Sequence, residues 1–283
     1  MSVFRSVHAR FALLLVPVLV VRAASAQTAP AAVPPARAAA QSPAPAAAPA
    51  AAPKPSAELA ALLAEADAAF AVRDEPGKMD ANLAALKRAE KIAPDDYEVL
   101  WRLAQHYYWL ADDPRISNEE KARLGKITWD YGDRASQANP KRVEGWFFAS
   151  AGVGMYSLGI SIVKALFDGM ESKYLDRLKK AQAADPAYYL NGADVAWGRY
   201  WYELPWPKYD GEKSEQWYRK ALRASPANLR AKVYLAELYD KEDHPAEARK
   251  LLDAVIAAKP GAYDAPEERR AQGMARAVLA KMQ

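Results

Sequence analysis

The 283-residue chain contains no cysteine and only three histidines. Without cysteine it forms no disulfide, builds no thiolate metal site and presents no residue for lipid acylation. Of the histidines, His106 and His244 each stand alone, at helical spacing from no second ligand. Neither a metal site nor a histidine-based triad is indicated, and no cofactor is expected. Glycine is sparse, 13 residues in all, and no Gly-rich phosphate loop occurs. Gly152-Val153-Gly154 lies instead in an apolar helical run, where small residues favour close packing. The acid pairs Asp95-Asp96 and Asp112-Asp113 fall at helix starts or loops, where capping accounts for them. No catalytic residue is nominated, and the chain reads as a non-enzyme.

An excess of one charge is missing too, once the first residues are set apart. Arg5 and Arg10 precede an apolar run from Phe11 to Val21, and Ala24-Ser25-Ala26 offers small residues for cleavage. That run is too short to cross roughly 30 Å of hydrocarbon as a helix. Residues 1–26 are therefore expected to be a signal peptide, leaving no stable membrane anchor and a soluble, periplasmic protein. The 39 Lys+Arg and 35 Asp+Glu of the full chain become 36 and 35 without Arg5, Arg10 and Arg22. Near-neutrality gives no support to nucleic-acid binding. Residues 27–56 hold 14 Ala and 8 Pro and no aromatic residue, so an extended, disordered linker is expected there. Whether it is a tether or a featureless leader stays open.

What the chain has is a repeat. Helical stretches close on a small residue with proline five positions on: Ala89 and Pro94, Ala135 and Pro140, Ala181 and Pro186, Ala221 and Pro226, Val255 and Pro260. The proline intervals are 46, 46, 40 and 34 residues, and the last is the tetratricopeptide (TPR) period. With Leu229 as position 1, Leu235 and Ala236 fall at 7 and 8, Tyr239 at 11, Ala248 at 20, Leu252 at 24 and Pro260 at 32. Small residues at 8 and 20 let two antiparallel helices approach, large ones fill the gap, and proline stops the second helix.

The expected fold is an all-α, TPR-like α-solenoid of about five antiparallel helix pairs over 57–262, with a capping helix over 263–283. The pairs are 57–73 with 78–93, 95–111 with 117–138, 141–167 with 170–184, 187–203 with 211–224, and 227–241 with 245–258. The surplus over the TPR period lengthens the second helix of pair two and the first helix of pair three.

Counting back from each proline assigns the positions that face the concave groove. These are Trp101, Tyr108 and Trp109 in pair two, Phe147 and Met155 in pair three, and Trp197, Tyr200 and Trp201 in pair four. Pair one shows Asp67, Asp74 and Glu75 there, and pair five Val233, Glu237, Asp240 and Lys241. An aromatic groove centre suits a peptide segment or a small amphipathic ligand. The same rings could equally be core or a subunit interface, and both readings stand. In the loop from Glu203 to Gly211, Trp206 sits between two prolines and is either a contact residue or a plug between pairs four and five.

The segment Asn191 to Pro260 carries Gly192, Gly198-Arg199-Tyr200-Trp201, Leu204-Pro205, then Lys213, Ala221-Leu222, Pro226 and Leu235-Ala236-Glu237. Together with Ala181 and Asp185-Pro186-Ala187-Tyr188-Tyr189 upstream, it resembles the TPR-bearing T component of tripartite ATP-independent periplasmic (TRAP) transporters over about residues 60–260. The resemblance implies a periplasmic helical protein that associates with a solute-binding protein and takes part in ligand handling. Members of that family are lipoproteins, and this chain has no cysteine to acylate. A general TPR scaffold for assembling a cell-envelope complex is the alternative.

Overall fold

The structure, a computed structural model, describes residues 56–261 and 263–282. The expected signal peptide and the expected linker up to residue 55 lie outside the described residues. Among the described residues every regular element is helical. The hairpins are α1 (Ala57–Ala71) with α2 (Lys78–Ile92), α3 (Tyr97–Ala111) with α4 (Asn118–Ala138), and α5 (Val143–Ile160) with α7 (Met170–Ala184). They continue as α8 (Tyr188–Glu203) with α9 (Gly211–Ala224) and α10 (Leu229–Lys241) with α11 (Pro245–Ala257), before α12 (Ala265–Lys281). This is the all-helical, TPR-like solenoid that the repeat implies. One first helix departs from expectation. The stretch 141–167 is not continuous, because Ser161 takes φ 82° and splits off the short α6 (Ile162–Phe167).

The small-residue-to-proline spacing acts as a stop. After α2, α4, α7, α9 and α11 the capping N–H bonds back to the carbonyl of Ala89, Ala135, Ala181, Ala221 and Val255 respectively. Those five side chains are completely buried, so the residue that ends each helix also sets how closely its partner lies. The following proline has no N–H and disfavours helix in the residue before it. At the other ends Ser56, Asp96, Ser117, Asp210, Asn228 and Asp264 accept backbone N–H bonds as N-caps. Tyr218, Leu235, Ala236, Ala248 and Leu252 are buried at the positions the repeat assigns to packing.

The lengthened helices α4 and α5 pack on each other through glycine. Gly125 and Gly132 on α4 and Gly145, Gly152 and Gly159 on α5 recur every seven residues along one stripe of each helix. A methyl on any of the five would fall within 2.6 Å of a backbone atom of the opposite helix. No side chain larger than hydrogen fits, so the two backbones run in direct contact.

α8 contains a feature that local sequence does not announce. Tyr189, Leu190 and Asn191 have φ of 55°, 53° and 60°, a left-handed turn without glycine, so right-handed helix begins only at Gly192. Such residues cost roughly 1–2 kcal/mol each. The turn is held by the next hairpin: Asn228 Nδ2 donates to the Leu190 carbonyl at 2.8 Å, and Ser225 Oγ donates to Asn191 Oδ1 at 2.7 Å. Asn228 also N-caps α10 through Oδ1, so one side chain fixes two helix starts.

His106 on α3 is buried against α1 and α2. Asn82 Nδ2 donates to the Ala66 carbonyl, which leaves Asn82 Oδ1 to accept from His106 Nδ1 at 2.7 Å. Nδ1 therefore carries a proton, and Nε2 is buried without a hydrogen-bond partner, which disfavours a second proton there. Burial, with Lys87 nearby, lowers the imidazole to about 4 from 6.5. A base with a lowered folded pKa contributes stability that is complete above pH 6.5 and lost as pH falls toward 4. Over that window the linkage amounts to about 3 kcal/mol. Chemical denaturation at pH 7 and pH 4.5 is expected to show this loss, and His106→Gln to remove most of the difference between the two.

Candidate functional site

The helices α3, α5, α8, α10 and α12, with Tyr174 of α7, line a cavity of about 140 Å³ on the concave side. Tyr108 of α3, Phe147 and Met155 of α5, Tyr189 and Arg199 of α8, Arg230 and Tyr234 of α10, and Glu267 of α12 are among its walls. A wider crevice of about 890 Å³ shares Met155, Leu158, Arg199 and Tyr234 with it. That crevice adds Trp109, Asp112, Arg73, Asp74, Arg269 and Arg270. A narrow apolar chamber thus opens toward a broad charged mouth.

The rings come from helices packed by the repeat. Tyr108 and Phe147 are buried in one cluster with Phe148, Val143, Ala104 and Ala181, and Tyr188 and Tyr189 lie against Phe147 at 5.2 and 5.3 Å between ring centroids. The left-handed turn brings Tyr189 and Leu190 into the chamber wall. The charges come from elements far apart in sequence. Arg230 Nε donates to Glu267 Oε1 at 2.6 Å, and its Nη2 and Nη1 donate to Asp112 Oδ2 and Oδ1 at 2.7 and 3.1 Å. Arg270 Nη1 donates to the Trp109 carbonyl at 2.8 Å and approaches Asp112 Oδ2 at 3.3 Å. Burial alone would raise the Asp112 carboxyl, but the Arg230 guanidinium, with help from Arg270, holds it below its ordinary value.

These contacts make α12 more than an end cap. Its neighbour Asp264 pairs with Arg73 at 2.7 Å, and Arg269 pairs with Asp74 at 2.5 Å, across the α1–α2 turn. The last helix reaches back to the first hairpin through side chains. Trp109 is held between the Arg73 and Arg270 guanidinium groups, 4.2 and 3.2 Å from its ring centroid. The concave side is therefore covered in part by α12.

Of the residues assigned to the groove from sequence, Tyr108, Trp109, Phe147 and Met155 line the chamber or the mouth. The other four lie elsewhere. Trp101 is half-buried on its own hairpin, its Nε1 donating to Glu98 under the Arg102 guanidinium. Trp197 stacks on Trp217 at 5.5 Å and donates to Gln182 Oε1, which places it between α7, α8 and α9. Trp201 lies under Lys213 of α9, 4.3 Å from its ring. Tyr200 donates to Glu171 at 2.6 Å and borders a small side pocket of about 90 Å³. In the right-handed part of α8 the chamber-facing residues are Gly192, Val195, Ala196 and Arg199, the last two one position away from the assigned Trp197 and Tyr200. The seven-residue connection 204–210 spoils a count taken backward from Pro226. In pair five Val233 is completely buried core, while Glu237 does line the mouth.

Two further expectations need correction. Trp206 is 89% exposed, so it plugs nothing. Asp112 follows the last turn of α3 and anchors the buried ion cluster, where sequence suggested a simple cap. Arg230, Glu267 and Arg270 carried no signal in isolation, because single charges on amphipathic helices are ordinary. The weak clue was Leu229-Arg230-Ala231, a charge between residues that face the interior.

Among the described residues, no group of three or more His, Cys, Asp or Glu is placed to hold a metal ion. Nor is any described helix long and apolar enough to cross a membrane.

Comparison with known proteins agrees with the fold. The solved TPR protein TTC0263 of Thermus thermophilus superposes with a TM-score of 0.59 at 20% identity, covering 78% of this chain and 99% of its own. MamA gives a TM-score of 0.41 at 16% identity, covering 70% of this chain and 92% of its own. No curated protein matches the sequence. Residues 210–274, which hold α9, α10, α11 and the start of α12, match the tetratricopeptide-repeat family model, so this all-α chain is a TPR-like solenoid carrying a recognisable TPR segment.

Proposed function

We propose that the protein is an exported TPR binding protein whose main partner is another protein, met on the outer edge formed by α6 and the α8–α9 loop. One observation carries this reading. Phe167 and Trp206 are 87% and 89% exposed, and the loop carrying Trp206 is pinned to the start of α7, just after α6, by Lys208 donating to Glu171 at 2.6 Å. Val163 on α6 is also exposed, and Leu166, Met170 and Leu204 border the small pocket between these segments. Large apolar side chains held in water on one edge mark an interaction surface. The concave chamber, with Tyr108, Phe147 and Met155, and with Trp109 at its mouth, is a second site for a small ligand.

The resemblance to the T component makes a periplasmic solute-binding protein the expected partner, and a role as an accessory to solute uptake follows. A scaffold for envelope assembly is the second reading, supported by the TPR-like fold alone. The Phe167→Asp, Trp206→Asp double variant should lose capture of its partner from periplasmic extract at least tenfold, with Tm unchanged within about 2 °C. Recovery of a solute-binding protein by the unmodified chain supports the first reading; envelope-assembly proteins support the second. Unchanged capture by the double variant rules out this edge.

A further inference from the structure

The chamber is lined by polar groups that are nearly all spent on the protein itself. Ser150 Oγ donates to the Phe147 carbonyl, and both ends of the Asn228 amide are bonded. Arg230 is taken up by Asp112, Glu267 and Tyr234, and Arg199 by Glu203 and Glu237. Glu268 accepts from the backbone N–H groups of Gly261 and Tyr263. Glu267 differs. Its Oε1 accepts from Arg230, but its Oε2 is out of solvent and has no hydrogen-bond partner, in a residue only 8% exposed that forms part of the chamber wall. An unsatisfied buried carboxylate oxygen is costly, and one kept in a cavity wall calls for a donor.

The remaining lining is aromatic and aliphatic. Tyr108, Phe147, Tyr189 and Tyr234 present rings to the same space, and ring faces attract cations. Arg199 is paired with Glu203 and Glu237 and Arg230 with Asp112 and Glu267, so a positive charge reaching Glu267 would share its carboxylate with the Arg230 guanidinium. The volume, about 140 Å³, is that of a single ring or a short alkyl chain.

The geometry points to a binding site for a small ammonium ligand: a protonated amine on a ring-sized apolar body, its N–H donated to Glu267 and its body among the aromatic side chains. This deepens the reading of the chamber as a ligand site and is independent of the outer edge. The probes are benzylamine, toluene and benzoate, which share a ring and differ in charge, titrated against the full chain by calorimetry and ligand-observed NMR. Benzylamine is expected to bind at least tenfold more tightly than toluene, and benzoate more weakly than either. Glu267→Gln should reduce benzylamine to the level of toluene and leave toluene unchanged. Ala151→Leu, which fills the chamber from α5 without touching the ion cluster, should abolish both. Equal binding of toluene and benzylamine, or tighter binding of benzoate, overturns the ammonium assignment but leaves a ligand chamber. Binding of none of the three overturns both. The comparison on the unmodified chain decides the matter even if Glu267→Gln does not fold.

Discussion

Gly152→Ala is expected to lower stability by about 3 kcal/mol or more, against a gain of up to about 1 kcal/mol for the same change in an unobstructed helix. The sign rests on what a methyl would meet. At Gly152 it would press on the backbone of Trp129 and on the Gly125 carbonyl, neither of which can rotate away. Relief requires α4 and α5 to separate, and that opens the interface along its whole glycine stripe. Gly273 in α12 is the control, since a methyl there meets nothing within 4 Å. Thermal unfolding should place Gly152→Ala about 6–12 °C below the parent and Gly273→Ala at or slightly above it. A Gly152→Ala variant as stable as the parent would mean that the two helices do not run in backbone contact.

Arg230→Met should cost about 3–5 kcal/mol, because it leaves the Asp112 and Glu267 carboxylates buried without their shared cation. The pH dependence separates this cause from simple loss of packing. In the parent, Asp112 has a lowered folded pKa, so its contribution is present above the ordinary carboxylate range and lost as pH falls through the folded value. In the variant, burial raises the Asp112 carboxyl, and its protonation relieves the unpaired charge. The gap between parent and variant should therefore be widest near pH 7 and narrow toward pH 4, followed by urea unfolding. Hydrogen exchange at pH 7 should meanwhile quicken in α12. A gap independent of pH would assign the loss to packing.

The parts legible in the sequence are those with local causes. The five stops were readable because each helix end is written within six residues, from the small residue to its proline. The α10–α11 hairpin was readable because its packing positions keep the regular period. The extra length of α4 and α5 was visible as a surplus, but its purpose became clear only when the glycines of the two helices interlocked. The turn at Tyr189, Leu190 and Asn191 has no local signal at all. Asn228 and Ser225, more than 30 residues on, impose it. For the site, Tyr108, Trp109, Phe147 and Met155 lie where a count within the lengthened second and third hairpins puts them, and Trp197 and Trp201 do not, because the 204–210 connection shifts the register. The ion cluster joins residues more than 100 positions apart, and no spacing rule reaches that far.

The grip of α12 on the first hairpin alters what kind of object the array is. An open stack of repeats is stabilised by nearest-neighbour contacts alone, and it can fray, lengthen or shorten from either end. Here the pairs Arg269–Asp74 and Arg73–Asp264 tie the terminal helix to the opening turn, so neither end is free. Deleting α12 would uncover Trp109 and the chamber at once, and inserting a repeat would carry the two halves of each pair out of reach.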